Sequence, residues 1–338
     1  MALDVIVNMS TVTLASSVGF GVPLVLESKA ASDIAFTKCS SLAEVVKAGF
    51  ADTTEVYKAC ALIWSQNNAP KSIAVCQNQK TAVETLTELV ALGKDFRQVL
   101  VTSLATSEES TIAQISTFIE TTKDKLFFVN VTASSSASTI LNKERTICMV
   151  LNDTSSGAAK NPVAALIGAT AGLTPGSFTY KNIVLKGVNP NTTITDGELD
   201  ALHTGGLFTV LLKCGDIVTS EGINTNKGYI DIVDSKDWIV SNIVYQTQKL
   251  LNNELKVPYT NVGIGMLEAV TIGVLKEAFE MGIIATNEEN LPDFSTKFAT
   301  RQDVPAGERA ERKYVRGQFS CGLAGGIHSV NIAGTLII

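Results

Sequence analysis

Charge is scarce in this chain, and that scarcity is the first constraint on what it does. Asp, Glu, Lys and Arg make up 18% of 338 residues and sum to a formal −6. Soluble domains usually carry about a quarter charged residues, so a chain this apolar buries much of its surface against neighbours. A net acidic balance without a basic face excludes a dedicated nucleic-acid binder. Histidine is nearly absent, with His203 and His328 alone. Neither has a second ligand at metal-site spacing, and each reads as an ordinary surface or half-buried side chain. No G-x-S-x-G elbow offers a serine nucleophile for either. The six cysteines (Cys39, Cys60, Cys76, Cys148, Cys214, Cys321) are scattered without a CxxC pair, which points to reduced core thiols. Long apolar runs are missing too. The longest, 163–173, contains Gly168 and Gly172 and falls short of the roughly 20 residues that span a bilayer. With no basic n-region and with Asp4 near the start, the beginning does not read as a secretory signal, so a cytosol-like compartment is expected.

Phosphate-binding loops fail one by one. Gly157-Ala-Ala-Lys160 lacks the P-loop spacing, and Gly263-Ile-Gly265-Met-Leu-Glu268 puts glutamate where a dinucleotide loop needs its third glycine. Gly322-Leu-Ala-Gly-Gly326 precedes an expected strand rather than a helix. Each reads as a turn or a close-packing site. No catalytic, cofactor or metal residues are assigned, and an enzyme is not expected.

What is present is a mixed α/β (α+β) pattern. Alternating periodicity places Leu3, Val5, Val7 and Met9 on one face of an N-terminal strand. Val330, Ile332, Leu336 and Ile338 do the same near the C-terminus. Such strands need cover that their own surroundings do not promise, and they are the candidate intersubunit residues. Between them, helices are predicted at 41–50, 54–66, 83–92, 108–122 and 161–173, with strands at 71–76, 99–103, 126–131 and 146–151. The later half predicts strands at 182–188 and 207–213, a helix at 196–204 and a hairpin tip at 224–228. Long helices follow at 237–254 and 261–284, then a loop at 291–307 and a return to β from 312. The expected division is an arm (1–20), an α/β domain (21–180), a second sheet-and-helix domain (181–325) and an arm (326–338). Arg309, Arg312, Lys313 and Arg316, with Arg301, form the densest basic cluster. Asp303, Glu308 and Glu311 interleave with it, so it reads either as a salt-bridged loop or as a face for an acidic partner, and not as a phosphate binder.

The order of several segments resembles the contractile tail sheath proteins of phages and phage-derived particles. NIVLKGV followed by NPNTTITDGELDAL is similar to that family's strand leading into a Thr-Asp-x-Glu-Leu helix start. DWIVSNIVYQTQKLLNNELKVPYTNVGIGMLEAV resembles its long helix, Pro-Tyr turn and second helix. ERAERKYVRGQFSCGLAGGIHSVNIAGTLII resembles its ending, with an Arg-x-x-Arg turn (Arg309, Arg312) and a Gly-Ile-His step. SSLAEVVKAGFADTTEVYKACALIWSQNNAPKSIAVCQ is similar to a helix pair before a strand. The resemblance implies a structural subunit that stacks as hexameric rings around a tail tube. It implies tube, baseplate and terminator proteins as partners, and a place in a virion tail or tail-like particle after assembly in a host cytoplasm. It also implies terminal arms that add strands to neighbours' sheets. A 12-residue arm at about 3.3 Å per residue reaches about 40 Å. Two alternatives stand beside it. One is an α/β nucleotide- or flavin-binding enzyme, from the strand–helix alternation of 71–151. The other is a tube or baseplate protein, which the long helices make awkward.

Overall fold

A six-stranded sheet organises the computed structural model, which describes residues 21–104, 108–132, 142–151 and 161–330. Its centre is β1 (Val22–Ser28), whose burial on both faces explains why no alternation announced it: a central parallel strand reads as a continuous apolar run. β2 (Ile34–Cys39) follows, then α1 (Leu42–Lys47), α2 (Glu55–Trp64), β3 (Ile73–Asn78), α3 (Ala82–Ala91), β4 (Phe96–Val101), α4 (Glu109–Thr122), β5 (Leu126–Thr132) and β6 (Thr146–Leu151). The helices and strands predicted over 41–151 fall on these elements. Their starts are set by local chemistry: Ser41, Thr54 and Thr81 each accept a backbone N–H at the N-cap, and Thr81 with Glu84 completes a capping box.

The strand order is β2-β3-β1-β4-β5-β6. β3, β1, β4, β5 and β6 are parallel, and β2 closes one edge antiparallel to β3. The period of two sorts side chains onto two cores. Val25, Val75, Leu100, Phe128 and Met149 face α1, α2 and a fifth helix, α5 (Pro162–Thr170). Leu24, Leu26, Cys76, Val99, Val101, Phe127 and Val129 face α3 and α4. All nine residues of α5 are buried. It lies against α2 so closely that a Cβ on Gly168 would come within 2.3 Å of the Ile63 carbonyl oxygen, an approach only glycine permits.

After residue 180 the chain continues into the same core, where Tyr180, Leu185, Val188, Phe208 and Val210 pack with Val25 and Val75. The strand predicted at 182–188 is not formed. Asn182 and Gly187 take positive φ (59° and 71°), which breaks extension and leaves only Val184 bridged to Val218. Phe208 adds to the β6 edge, accepting from Val150 N–H at 2.8 Å. α6 (Asp196–Thr204) has its own capping box, Thr195 with Glu198. β7 (Val210–Lys213) turns through Cys214-Gly215, both at positive φ, into β8 (Asp216–Thr219), as two-residue hairpins require. Asn224 N–H bonds the Gly228 carbonyl at 2.8 Å, closing the expected hairpin tip.

The long helices are α7 (Ile230–Asn253) and α8 (Asn261–Glu280). α7 starts seven residues before its predicted start. The segment 291–307, expected as a loop, holds β9 (Phe294–Phe298), a 3-10 turn at Arg301–Asp303 and the start of α9 (Ala306–Ala310). Its strand signal is the alternation Phe294, Thr296, Phe298, whose side chains are half-buried while Ser295 and Lys297 are exposed. β10 (Gly317–Cys321) pairs antiparallel with β9. A third core, with Trp238, Ile239, Ile243, Val274, Leu275 and Ala278, joins α7 to α8, and Phe294 and Phe319 of the β9–β10 sheet pack on it.

Candidate functional site

Two features organise the surface-bearing half of the molecule: a buried ionic clasp that fixes α7 to the main sheet, and the small β9–β10 sheet that α8 carries. In the clasp, Arg97 of β4 and Arg145 before β6 meet Asp234 and Asp237, three residues apart on one face of α7. Arg145 donates to Asp237 through both terminal nitrogens at 2.8 and 2.6 Å, and Arg97 reaches Asp237 at 2.9 Å and also pairs with Asp234. Tyr180 Oη donates to Asp234 at 2.7 Å, and Arg97 also bonds the Asp124 carbonyl at 3.2 Å. The Arg97, Asp234 and Asp237 side chains are each 2% exposed. Burial alone would lower the Arg97 pKa, but Asp234 and Asp237 outweigh it and raise it. Burial, then the charge of Asp234, pushes Tyr180 well above its ordinary value. Paired charges in a dry interior hold geometry, and these contacts join the first half of α7 to β4 and to the entry of β6. The signals of this cluster in the sequence are the arginine within the apolar strand FRQVLV and the Asp-x-x-Asp spacing on α7.

The β9–β10 sheet has one face against α8, where Thr296 Oγ1 donates to Glu268 at 2.8 Å. The other face is exposed at Ser295, Lys297, Gln318 and Ser320. Only two strands compose it, so among the described residues both outer edges of the pair end without a further strand. Open edges of this kind present unpaired N–H and C=O groups and template strand addition. A two-stranded sheet is marginal without such partners or a covering helix.

Of the residues expected at an interface, Leu3, Val5, Val7, Met9, Ile332, Leu336 and Ile338 lie outside the described residues. Val330 is described and 73% exposed. The basic cluster divides. Arg316 makes a bidentate pair with Glu308 at 3.0 and 2.6 Å, and Lys313 pairs with Glu311 at 3.2 Å. Arg309 donates to the carbonyls of Arg301 and Val304 at 3.0 and 2.7 Å, closing the 301–309 turn. The exposed Arg312 guanidinium makes no hydrogen bond or ion pair among the described residues. Arg309, Lys313 and Arg316 are therefore committed to their own loop. Tyr259 Oη donates to the Lys313 carbonyl at 2.9 Å, and Tyr314 stacks on Phe298, so this loop is tied to the start of α8.

Beyond β10 the chain runs back to the main body. Ala324 N–H bonds the Ile283 carbonyl at 2.9 Å. His328 then docks between two elements. Its Nδ1 donates to Glu221 at 2.5 Å, its Nε2 meets Thr179 Oγ1 at 2.8 Å, and its ring stands edge-on to Tyr229. Lys181 pairs with the same Glu221 at 2.6 Å. Burial would raise the Glu221 carboxyl, but Lys181, the Gly222 N–H and His328 hold it below its usual range. The other histidine, His203, bonds Ser220 Oγ at 3.0 Å, and burial lowers its pKa.

Among the described residues no group of three His, Cys, Asp or Glu side chains could hold a metal. The order β3-β1-β4-β5-β6 is that of a doubly wound nucleotide-binding sheet, in which ligands sit at the carboxyl ends of the central strands. There Ser28 and Ser103 hydrogen-bond each other at 3.0 Å. A cavity of about 250 Å³ opens instead beside Gly21 and Gln98, near the amino ends of β1 and β4, lined also by Tyr180, Asp234 and Trp238. Strand order by itself does not choose a chemistry.

No family model and no curated protein sequence matches the chain. Solved structures do. The helical sheath of the anti-feeding prophage in its contracted state superposes with a TM-score of 0.74 at 12% identity, covering 98% of this chain and 99% of that one. The sheath of the extracellular contractile injection system PVC, also contracted, gives 0.72 at 11% identity over 98% and 96%. A sheath tail protein from Listeria innocua gives 0.61 at 11% identity over 84% and 90%. At such identities the likeness establishes a shared fold, carried over almost the whole chain.

Proposed function

We propose that this protein is the sheath subunit of a contractile injection particle, polymerising as stacked six-membered rings around a tube. The observation that carries the reading is the near full-length fold likeness to sheath subunits. The open-edged β9–β10 sheet supplies what a strand-exchanging lattice needs. In this reading, residues 1–20 and 326–338 are the arms, with Leu3, Val5, Val7 and Met9 and Val330, Ile332, Leu336 and Ile338 pairing with neighbours. Between the arms, the residues expected as two domains, 21–180 and 181–325, share one core, in which Tyr180, Leu185, Val188, Phe208 and Val210 pack with Val25 and Val75. The tube, baseplate and terminator proteins are the remaining partners, and Arg309, Arg312, Lys313 and Arg316 face an acidic surface on the tube or on a neighbouring subunit.

The energy for contraction is stored in packing. A subunit trapped in an extended lattice that gains even a few kcal/mol on repacking contributes to a cooperative, all-or-none transition along the polymer. Negative-stain microscopy of the purified chain tests the reading, with rings or striated hollow rods expected. Thin tubes would return it to a tube protein, and single particles at every concentration would refute it. Deleting Val330–Ile338 should leave a folded monomer that builds no long sheaths, and normal contractile tubes from that truncation would refute the arm.

A further inference from the structure

We propose that the cavity of about 250 Å³ between β4, the end of α5 and the first half of α7 binds a small neutral ligand with a planar carboxamide-like edge, and that Gln98 is the residue that recognises it. Gln98 lines this space and is only 7% exposed, yet its side chain makes no hydrogen bond among the described residues. Native folds pair nearly all of their buried polar groups. Trp238 of α7 lines the same space at 5% exposed, and its indole N–H likewise makes no hydrogen bond among the described residues. The rest of the wall excludes a charged ligand. Its one charged side chain among the described residues is Asp234, whose Oδ1 is taken by Arg97 and whose Oδ2 accepts from the Tyr180 hydroxyl at 2.7 Å. Two arginines and two aspartates leave the clasp neutral. A phosphate or an ammonium entering here would lose its hydration with no counter-charge to meet. Thr170 gives its proton to the Leu166 carbonyl at 2.7 Å and keeps an oxygen that can only accept. What stays free is two donors and one acceptor on Gln98, one donor on Trp238 and one acceptor on Thr170. An edge that sets a donor beside an acceptor pairs with the Gln98 carboxamide through two hydrogen bonds at once, while Phe178 and Trp238 supply flat apolar wall. Ligand pockets usually hold about 300–1,000 Å³, so this smaller space admits a single ring. Its walls come from the elements that the clasp joins, and an occupant ties β4, α5 and α7 together.

Benzamide is the probe, and benzoate, the same shape with a charge, is its control. Trp64→Phe identifies the Trp238 indole N–H signal, since the chain has two tryptophans, and NMR at concentrations below assembly follows that signal. Benzamide should shift it with a Kd of about 1 mM, the range for one ring held by a few hydrogen bonds. Benzoate should bind about tenfold more weakly or worse. Gln98→Leu, close in volume, should weaken benzamide about tenfold, the scale of a lost hydrogen-bonded pair. Without ligand this variant should melt no lower than the parent, because an amide with no partner in the fold stabilises nothing. An unmoved Trp238 signal, which would leave the cavity to water, overturns the proposal. Equal binding of benzoate or unchanged affinity in Gln98→Leu overturns it too, as does a ligand-free Gln98→Leu that melts several degrees lower. None of these results bears on the sheath reading, which assembly tests by itself.

Discussion

Replacing Asp237 by alanine removes the acceptor that Arg145 engages twice, at 2.8 and 2.6 Å, and that Arg97 engages at 2.9 Å. Arg97 keeps Asp234, but the Arg145 guanidinium, in a side chain only 10% exposed, is left buried without its partner. Breaking a buried pair in this way costs about 3–5 kcal/mol. With an unfolding entropy of about 2.1 cal/mol/K per residue, the 338 residues give about 0.7 kcal/mol/K, so the melting temperature should fall by about 6 °C. Changing Arg145 to methionine in the same chain removes the stranded charge and should recover more than half of that loss, since the coupling of a charged pair is not additive. Thermal melts followed by near-UV circular dichroism at concentrations below assembly read both effects. A single Asp237→Ala variant melting within about 1 °C of the parent would refute the view that the clasp joins α7 to the sheet.

Other outcomes follow from the same contacts. Arg309→Glu loses two carbonyl partners inside the 301–309 turn and should lower monomer stability by about 1–2 kcal/mol, whereas Arg312→Glu should leave the melt unchanged and weaken assembly in sedimentation velocity. Equal effects from the two would remove Arg312 from any interface. Burial pushes the Cys60 thiol up to about 12 and the Cys76 thiol to about 11, so both stay protonated and shielded in the native protein. A thiol reagent at neutral pH should find the exposed Cys214 at once, Cys321 more slowly, and the four buried thiols only in denaturant. More than two rapid equivalents would contradict the packed core.

Much of the architecture was legible in the order of residues. The helices α2, α3 and α4 and the strands β5 and β6 are fixed within about two residues by apolar periodicity and by threonine caps such as Thr81 with Glu84, because those signals are local. The same locality explains the misses. β1 has no alternation to detect, β9 sits in a stretch rich in turn residues, and the 182–188 run looks extended until Asn182 and Gly187 take positive φ. Of the site, the chain order named Arg309, Arg312, Lys313 and Arg316, but not that three of them would be spent on their own loop.

Sequence alone determined that the chain alternates strands and helices and carries no metal-spacing or nucleotide-loop motif, since these depend on residues near one another; it pointed to core thiols for all six cysteines, and the fold leaves Cys214 exposed. Tertiary structure decided that Arg97 and Arg145 find Asp234 and Asp237 about 90 to 140 positions away, that β9 and β10 stop at two strands, and that His328 closes on Glu221. Contacts between distant positions leave no periodic trace in a sequence; they exist only once the chain has paid its entropy of folding and the elements are in place.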